Sequence, residues 1–196
     1  FMSSICGYWK NNNSRLDSSA IELMLSAQNH WKADQKNNWN DDPSVALGHL
    51  MLYNTPESLS ETLPFYDPES DCCITADARI DNREELTEKL QIISGAANNK
   101  PDSWFILAAY KNWGEDCTQH LRGDFAFAIW DKVHQKLFCA RDQIGIKPFY
   151  YYFKNSVFAF ATEMKGILAL EPIDKAKNEK WIADFIVNIK LLTNFP

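Results

Sequence analysis

The chain has 196 residues, enough for one domain or one domain with an appendage. Apolar residues make up 45% and charged residues 23%, with 12 Phe, 7 Tyr and 7 Trp, so a packed core is expected and general disorder is excluded. The net charge of −6, with no basic run, argues against nucleic acid and anionic membrane surfaces as partners, and no apolar stretch approaches the roughly 18 residues of a membrane-spanning helix.

In chain order, residues 3–9 read as a short strand, followed by a polar turn at Asn11–Asn13. Met2 is expected to be the natural start, and residues 1–9 do not resemble a secretory signal. Ile21, Met24 and Leu25 recur at helical spacing, predicting a helix over about 20–30 with Ser18 or Ser19 as its cap. Residues 32–44 are polar and read as loop. Residues 45–53 read as a strand, with Gly48 at a bulge or close approach, and 54–70 as turns around a short strand.

Residues 72–80 form the next expected strand and 83–90 a helix with Glu84 and Glu85 at its positive end. Asp102 or Ser103 is expected to cap an apolar helix over 104–113, which stops at Gly114, and 115–121 reads as a short helix. Four strand-like runs follow, at 124–131, 136–141, 149–153 and 157–163. Their short links predict an antiparallel meander. In the first run Phe125, Phe127 and Ile129 share one face and Ala126, Ala128 and Trp130 the other. Both faces are apolar, so this strand is expected to be covered on both sides, with close approach on the alanine face. After Leu170 a lysine-rich linker leads to an amphipathic helix over about 178–192, with an apolar stripe expected to be poorly covered.

The five cysteines and four histidines show no zinc spacing or disulfide framework, so reduced thiols and a cytoplasmic location are expected. No phosphate loop, dinucleotide fingerprint, Gly-x-Ser-x-Gly elbow or His-Glu-x-x-His motif occurs. Arg141, Asp142 and Lys147 around Gly145 suit a turn between strands. Asp77, Arg79, Asp81 and Arg83 suit a solvated, salt-bridged strand end, and Cys139 reads as a small core residue. Spacing alone stops at a layered protein of helices and sheets.

Several segments together resemble the N-terminal glutaminase-type domain of asparagine synthetase and its relatives. They are SSICGY at 3–8, LGH at 47–49, DARIDNREEL at 77–86, ILAAY at 106–110, WGEDC at 113–117, LRGDFAFAIWD at 121–131, ARDQIGIKPFYY at 140–151 and EMK at 163–165. They keep the family's order across about residues 3–170. The resemblance implies an N-terminal-nucleophile fold: an α+β, four-layer αββα sandwich of two antiparallel sheets. In active members an exposed N-terminal Cys attacks the glutamine amide with its own α-amine as base, and ammonia passes to a second domain that uses ATP.

The sequence departs from that pattern at the chemical positions. Ser3 falls in the nucleophile slot, and Cys6 falls inside the strand. Met51 replaces the arginine that holds the glutamine carboxylate. Asp77-Ala78-Arg79 replaces the Asn-Gly-Glu segment of the oxyanion hole and substrate contacts, and only Asp102 is kept among the glutamine ligands. The same replacements resemble the degenerate front domains of β-lactam synthetase and lasso-peptide cyclases, which need no ammonia. The expectation is therefore a catalytically silent domain over 3–170, with 171–196 a linker and helix leading toward a C-terminal synthetase domain. This chain should hold no cofactor and no metal of its own, with ATP and magnesium belonging to that partner. A homodimer is also compatible with the sequence. The rivals are an active glutaminase using Ser3 or Cys6, and a standalone binding module.

Overall fold

The computed structural model describes residues 3–10, 18–93, 95–97, 99–171, 173 and 175–192; the expected turn at Asn11–Asn13 and the expected start at Met2 lie outside them. In chain order the elements are β1 (Ser4–Lys10), α1 (Ser18–Gln28), β2 (Gln35–Asp42), β3 (Val45–Met51), β4 (Phe65–Asp67), β5 (Cys72–Ile80), α2 (Arg83–Lys89), α3 (Asp102–Trp113), α4 (Cys117–His120), β6 (Gly123–Asp131), β7 (Lys136–Arg141), β8 (Tyr150–Lys154), β9 (Val157–Ala161), α5 (Met164–Leu168) and α6 (Glu179–Leu192). No helix among them is long and apolar enough to cross a membrane.

The strands form two sheets, one in the order β2-β3-β1-β9-β8 and one in the order β4-β5-β6-β7. Every pairing is antiparallel. Three apolar layers make this a four-layer αββα sandwich. Cys6, Ala159 and Ala161 face Ile21, Met24 and Leu25 of α1 and Ile167 of α5 on the outside of the five-stranded sheet. Phe125, Phe127 and Ile129 face Phe105, Ile106 and Ala109 of α3 outside the other sheet. Between the sheets lie Ile5, Leu47, Phe160, Ala126, Ala128 and Trp130. The two-faced character of β6 thus has its predicted cause, and its alanine face is the one that meets the second sheet. There bulk is limited by the close approach of two sheets.

Two glycines fix this geometry. A Cβ at Gly7 would lie 2.6 Å from the Phe160 ring. At Gly123 φ is +135°, and a Cβ would collide with the Arg79 carbonyl oxygen.

Three sequence expectations are corrected. The polar segment 32–44 contains a strand, β2. It lies at a sheet edge, pairs only with β3 and turns alternate polar residues to water, so it needs no apolar pattern. The four runs after residue 123 are not one meander. β6 pairs with β7 and β8 with β9, but the 142–149 link crosses from one sheet to the other. Short links constrain distance, not which sheet receives the next strand. Finally, Pro101 stands at the N-cap of α3, and Asp102 is its first helical residue, with its carboxylate directed elsewhere.

Candidate functional site

At one end of the inter-sheet layer is a cleft of about 250 Å³. Ser3 enters it just before β1, Met51 at the end of β3, Asp77 and Ala78 from β5, Asp102 from the start of α3 and Lys147 from the crossover between the sheets. Ser3, Met51, Asp77, Ala78, Arg79 and Asp102, the positions named from the sequence, therefore line one cavity.

The Ser3 side chain is held in place. Its Oγ accepts a hydrogen bond from the Leu52 amide at 3.1 Å and donates to Met51 Sδ at 3.7 Å. Asp77 pairs across β5–β6 with Ala126, so it faces the inter-sheet side, and it is 6% exposed. Lys147 Nζ donates to its Oδ1 at 2.8 Å, while Oδ2 is buried with no protein partner among the described residues. Burial raises the Asp77 carboxyl above the usual carboxylate range, and the Lys147 ammonium opposes that rise without cancelling it.

Asp102 anchors structure as well as lining the cleft. Its Oδ1 accepts from the Ile80 amide at 3.0 Å and from Arg83 Nε at 2.9 Å and Nη2 at 2.8 Å. Arg83 also reaches Glu57 at 3.7 Å. Arg79 is taken by Asp81 at 3.0 Å and Asp124 at 3.4 Å. Glu61 accepts a short hydrogen bond from Ser103, and burial raises both Glu61 and Asp102. Five carboxylates and three cations line the cleft, and each of the three cations is already ion-paired. Among the described residues, the α-carboxylate of an amino acid finds no unengaged cation in the cleft.

Cys6 lies elsewhere. It is fully buried on the helix-facing side of β1, against α1 and away from the cleft, and burial raises its thiol. The sequence reading of 77–83 as a solvated edge holds for Arg79 with Asp81. It fails for Asp77 and Arg83, which turn inward. Lys147, Arg83 and Glu61 were not singled out for the cleft. The Lys147-Pro148 pair was visible in the sequence, but its partner lies 70 residues away. Among the described residues no group of three or more His, Cys, Asp or Glu could hold a metal ion.

His49 belongs to the same interior but not to the cleft lining. Its Nδ1 lies 3.1 Å from Thr75 Oγ1, and burial pushes its pKa down to about 3, so it is a neutral core histidine.

A family model described as a glutamine amidotransferase domain matches residues 2–194. The chain is 41% identical to asparagine synthetase (glutamine-hydrolyzing) 3 of Bacillus subtilis over 99 residues, which is 50% of this chain and 16% of that protein. It is 32% identical to amidase chry2 of Gibberella zeae over 170 residues, 84% of this chain and 25% of that protein. It thus spans about a quarter or less of the length of these relatives. Among solved structures, the glutamine phosphoribosylpyrophosphate amidotransferase of B. subtilis aligns with a TM-score of 0.64 at 13% identity, over 85% of this chain and 43% of that one, which shows a shared fold. The family model that matches residues 2–194, together with the asparagine synthetase relative, makes this chain a glutamine amidotransferase domain of the asparagine synthetase family.

Proposed function

We propose that this is a silent member of that family: a glutaminase-like domain that does not hydrolyse glutamine and instead scaffolds or shapes the substrate site of an ATP-dependent, amide-forming synthetase region. The observation that carries the reading is the buried Asp77–Lys147 pair in the slot where an oxyanion would develop. A carboxylate there repels the charge that must be stabilised, and losing even one oxyanion donor typically costs about 10²–10³ in rate. Two further features support it. Ser3 Oγ is held by Leu52 and Met51, and Met51 occupies the position of the carboxylate-binding arginine. On this reading residues 171–196 lead toward the synthetase region, and ATP and magnesium act there.

The active-glutaminase alternative draws on the printed name of the B. subtilis relative, which is glutamine-hydrolysing. Cys6 gives that alternative no nucleophile in the cleft.

The test is glutamate release from glutamine by the protein from its natural start, by Ser3→Cys, and by a triple variant adding Met51→Arg and Asp77→Asn. The first two are expected to release none above background. Robust turnover by either overturns the silent reading.

A further inference from the structure

The charges lining the cleft do not balance. Five carboxylates face three cations there, and the surplus can be located. Arg83 is engaged by Asp102 and Glu57, Arg79 by Asp81 and Asp124, and Lys147 by Asp77. Among the described residues Glu61 lies within ion-pair distance of no cation, and its Oε1 accepts from the Ser103 hydroxyl. Asp77 is short of a partner in a different way. Lys147 Nζ takes its Oδ1 at 2.8 Å, while Oδ2 is buried without a hydrogen bond, in a side chain only 7% exposed. A buried carboxylate oxygen left unsatisfied is costly, so this one calls for a donor.

Each of these two carboxyl groups has one oxygen engaged and one remaining. A guanidinium fits both oxygens of a carboxylate in a planar fork. An ammonium is a point charge with three rotatable donors, which single oxygens satisfy. Among the described residues no group of three or more His, Cys, Asp or Glu suits a metal ion. Burial raises both carboxyls, with Lys147 opposing the rise at Asp77 and Ser103 opposing it at Glu61. A cation arriving beside them favours their charged forms and relieves what burial costs. Met51, Ala76, Ala78 and Pro101 supply an apolar wall against which an alkyl chain can lie. At about 30 Å³ per water-sized group, the cleft of about 250 Å³ admits a molecule of roughly five to seven heavy atoms.

We propose that the cleft binds a short primary alkylammonium, whose nitrogen donates to Asp77 Oδ2, whose charge balances Glu61 and whose chain lies along Met51 and the two alanines. The inference rests on the reading of this cleft as one that does not hydrolyse glutamine, and it names the class of molecule the cleft takes instead. Such an amine is charged at pH 7, because an unperturbed alkylamine titrates at about 10.4. L-Glutamine also carries an ammonium, but its α-carboxylate meets the negative surplus and, among the described residues, no unengaged cation. An amine without that carboxylate escapes the repulsion, so the cleft discriminates by charge before it discriminates by shape.

The experiment titrates the 196-residue chain with n-butylammonium chloride at pH 7 and fixed ionic strength, followed by calorimetry and by the amide shifts of residues 76–79. Saturable one-to-one binding is expected, at least about tenfold tighter than that of 1-butanol, sodium butyrate or L-glutamine, which is the worth of one charge-assisted hydrogen bond. Asp77→Asn and Glu61→Gln should each weaken it at least about tenfold while circular dichroism stays native. Glu61→Gln, which keeps the Ser103 contact, carries the test should Asp77→Asn fail to fold. Affinity should also fall as pH drops through the raised carboxyl values, because protons then compete with the amine. Binding that is absent, that butanol matches or that survives both substitutions overturns the ammonium site and, with glutamine still not hydrolysed, leaves the silent-domain reading standing. Glutamine bound as tightly as the amine and released as glutamate overturns both.

Discussion

The layer between the two sheets and the cleft at its end are built by the same strands, yet they are filled by opposite chemistry. Between the sheets the side chains are Ile5, Leu47, Ala126, Ala128, Trp130 and Phe160, all buried. In the cleft, charged groups meet in pairs, Asp77 with Lys147 and Asp102 with Arg83. The difference shows where a fold constrains its sequence. Two sheets in contact leave room only for particular volumes, so the apolar layer cannot drift far without a cavity or a clash. A cleft needs only that buried charges find partners, so its chemistry can be replaced while the scaffold stands.

The sharpest way to break this comparison is at Trp130, which is 1% exposed and donates from Nε1 to Asp42 at 3.3 Å. Trp130→Ala should destabilise the fold by about 4 kcal/mol in urea unfolding. A loss under about 1 kcal/mol would mean the inter-sheet layer collapses around the void and is not the rigid element described.

Next is the cleft lock. Lys147→Met leaves the Asp77 carboxylate buried without its cation and should cost about 3 kcal/mol. A double variant adding Asp77→Leu should recover most of that loss, because the stranded charge is gone. If the double variant is no better than the single one, the cost comes from the crossover, not from the charge pair.

A smaller effect concerns Glu61, whose carboxyl burial raises above the ordinary 4.5. A raised carboxyl pKa favours the folded state below the unfolded value, and that contribution is lost as pH rises through the folded value. Glu61→Gln mimics the protonated form and keeps the Ser103 contact. It should therefore melt higher than wild type at pH 7, with the gap closing below pH 4.5. A gap that is independent of pH would place the benefit outside this titration.

The smallest effect is expected at the open edge. Tyr151 is 70% exposed, and Tyr151→Lys in the 196-residue chain should change unfolding stability by less than about 0.5 kcal/mol. A large loss would show that this aromatic serves the domain's own packing.

The elements with a period of their own were legible along the chain. The strands β1, β5 and β6 and the helix α3 fall within a few residues of their predicted places, because their side chains alternate or recur in step with the backbone. The helix α6 was also expected, and its described side chains are exposed as its sequence suggested. β2 was missed because an edge strand can be polar throughout: its hydrogen bonds to β3 come from the backbone and leave no residue signature. Ser3, Met51, Asp77 and Asp102 were named from the resemblance, and the fold brings them to one cavity, but Glu61, Arg83 and Lys147 join them there without having been named.

By itself the sequence determined the doubly covered strand at 124–131, the polar boundary after Leu170 and the residue types that stand at 3, 51, 77 and 102. All three are properties of residue type and local order. Only the tertiary structure decided that the 142–149 link crosses between sheets and that Lys147 closes on Asp77. It also decided that Arg83 is spent on Asp102 and that Cys6 faces a helix rather than the cleft. Those outcomes depend on which strand lies beside which and on which face a residue turns inward. Long-range pairing sets both, and the residues it joins carry no mark of their partners in the linear chain.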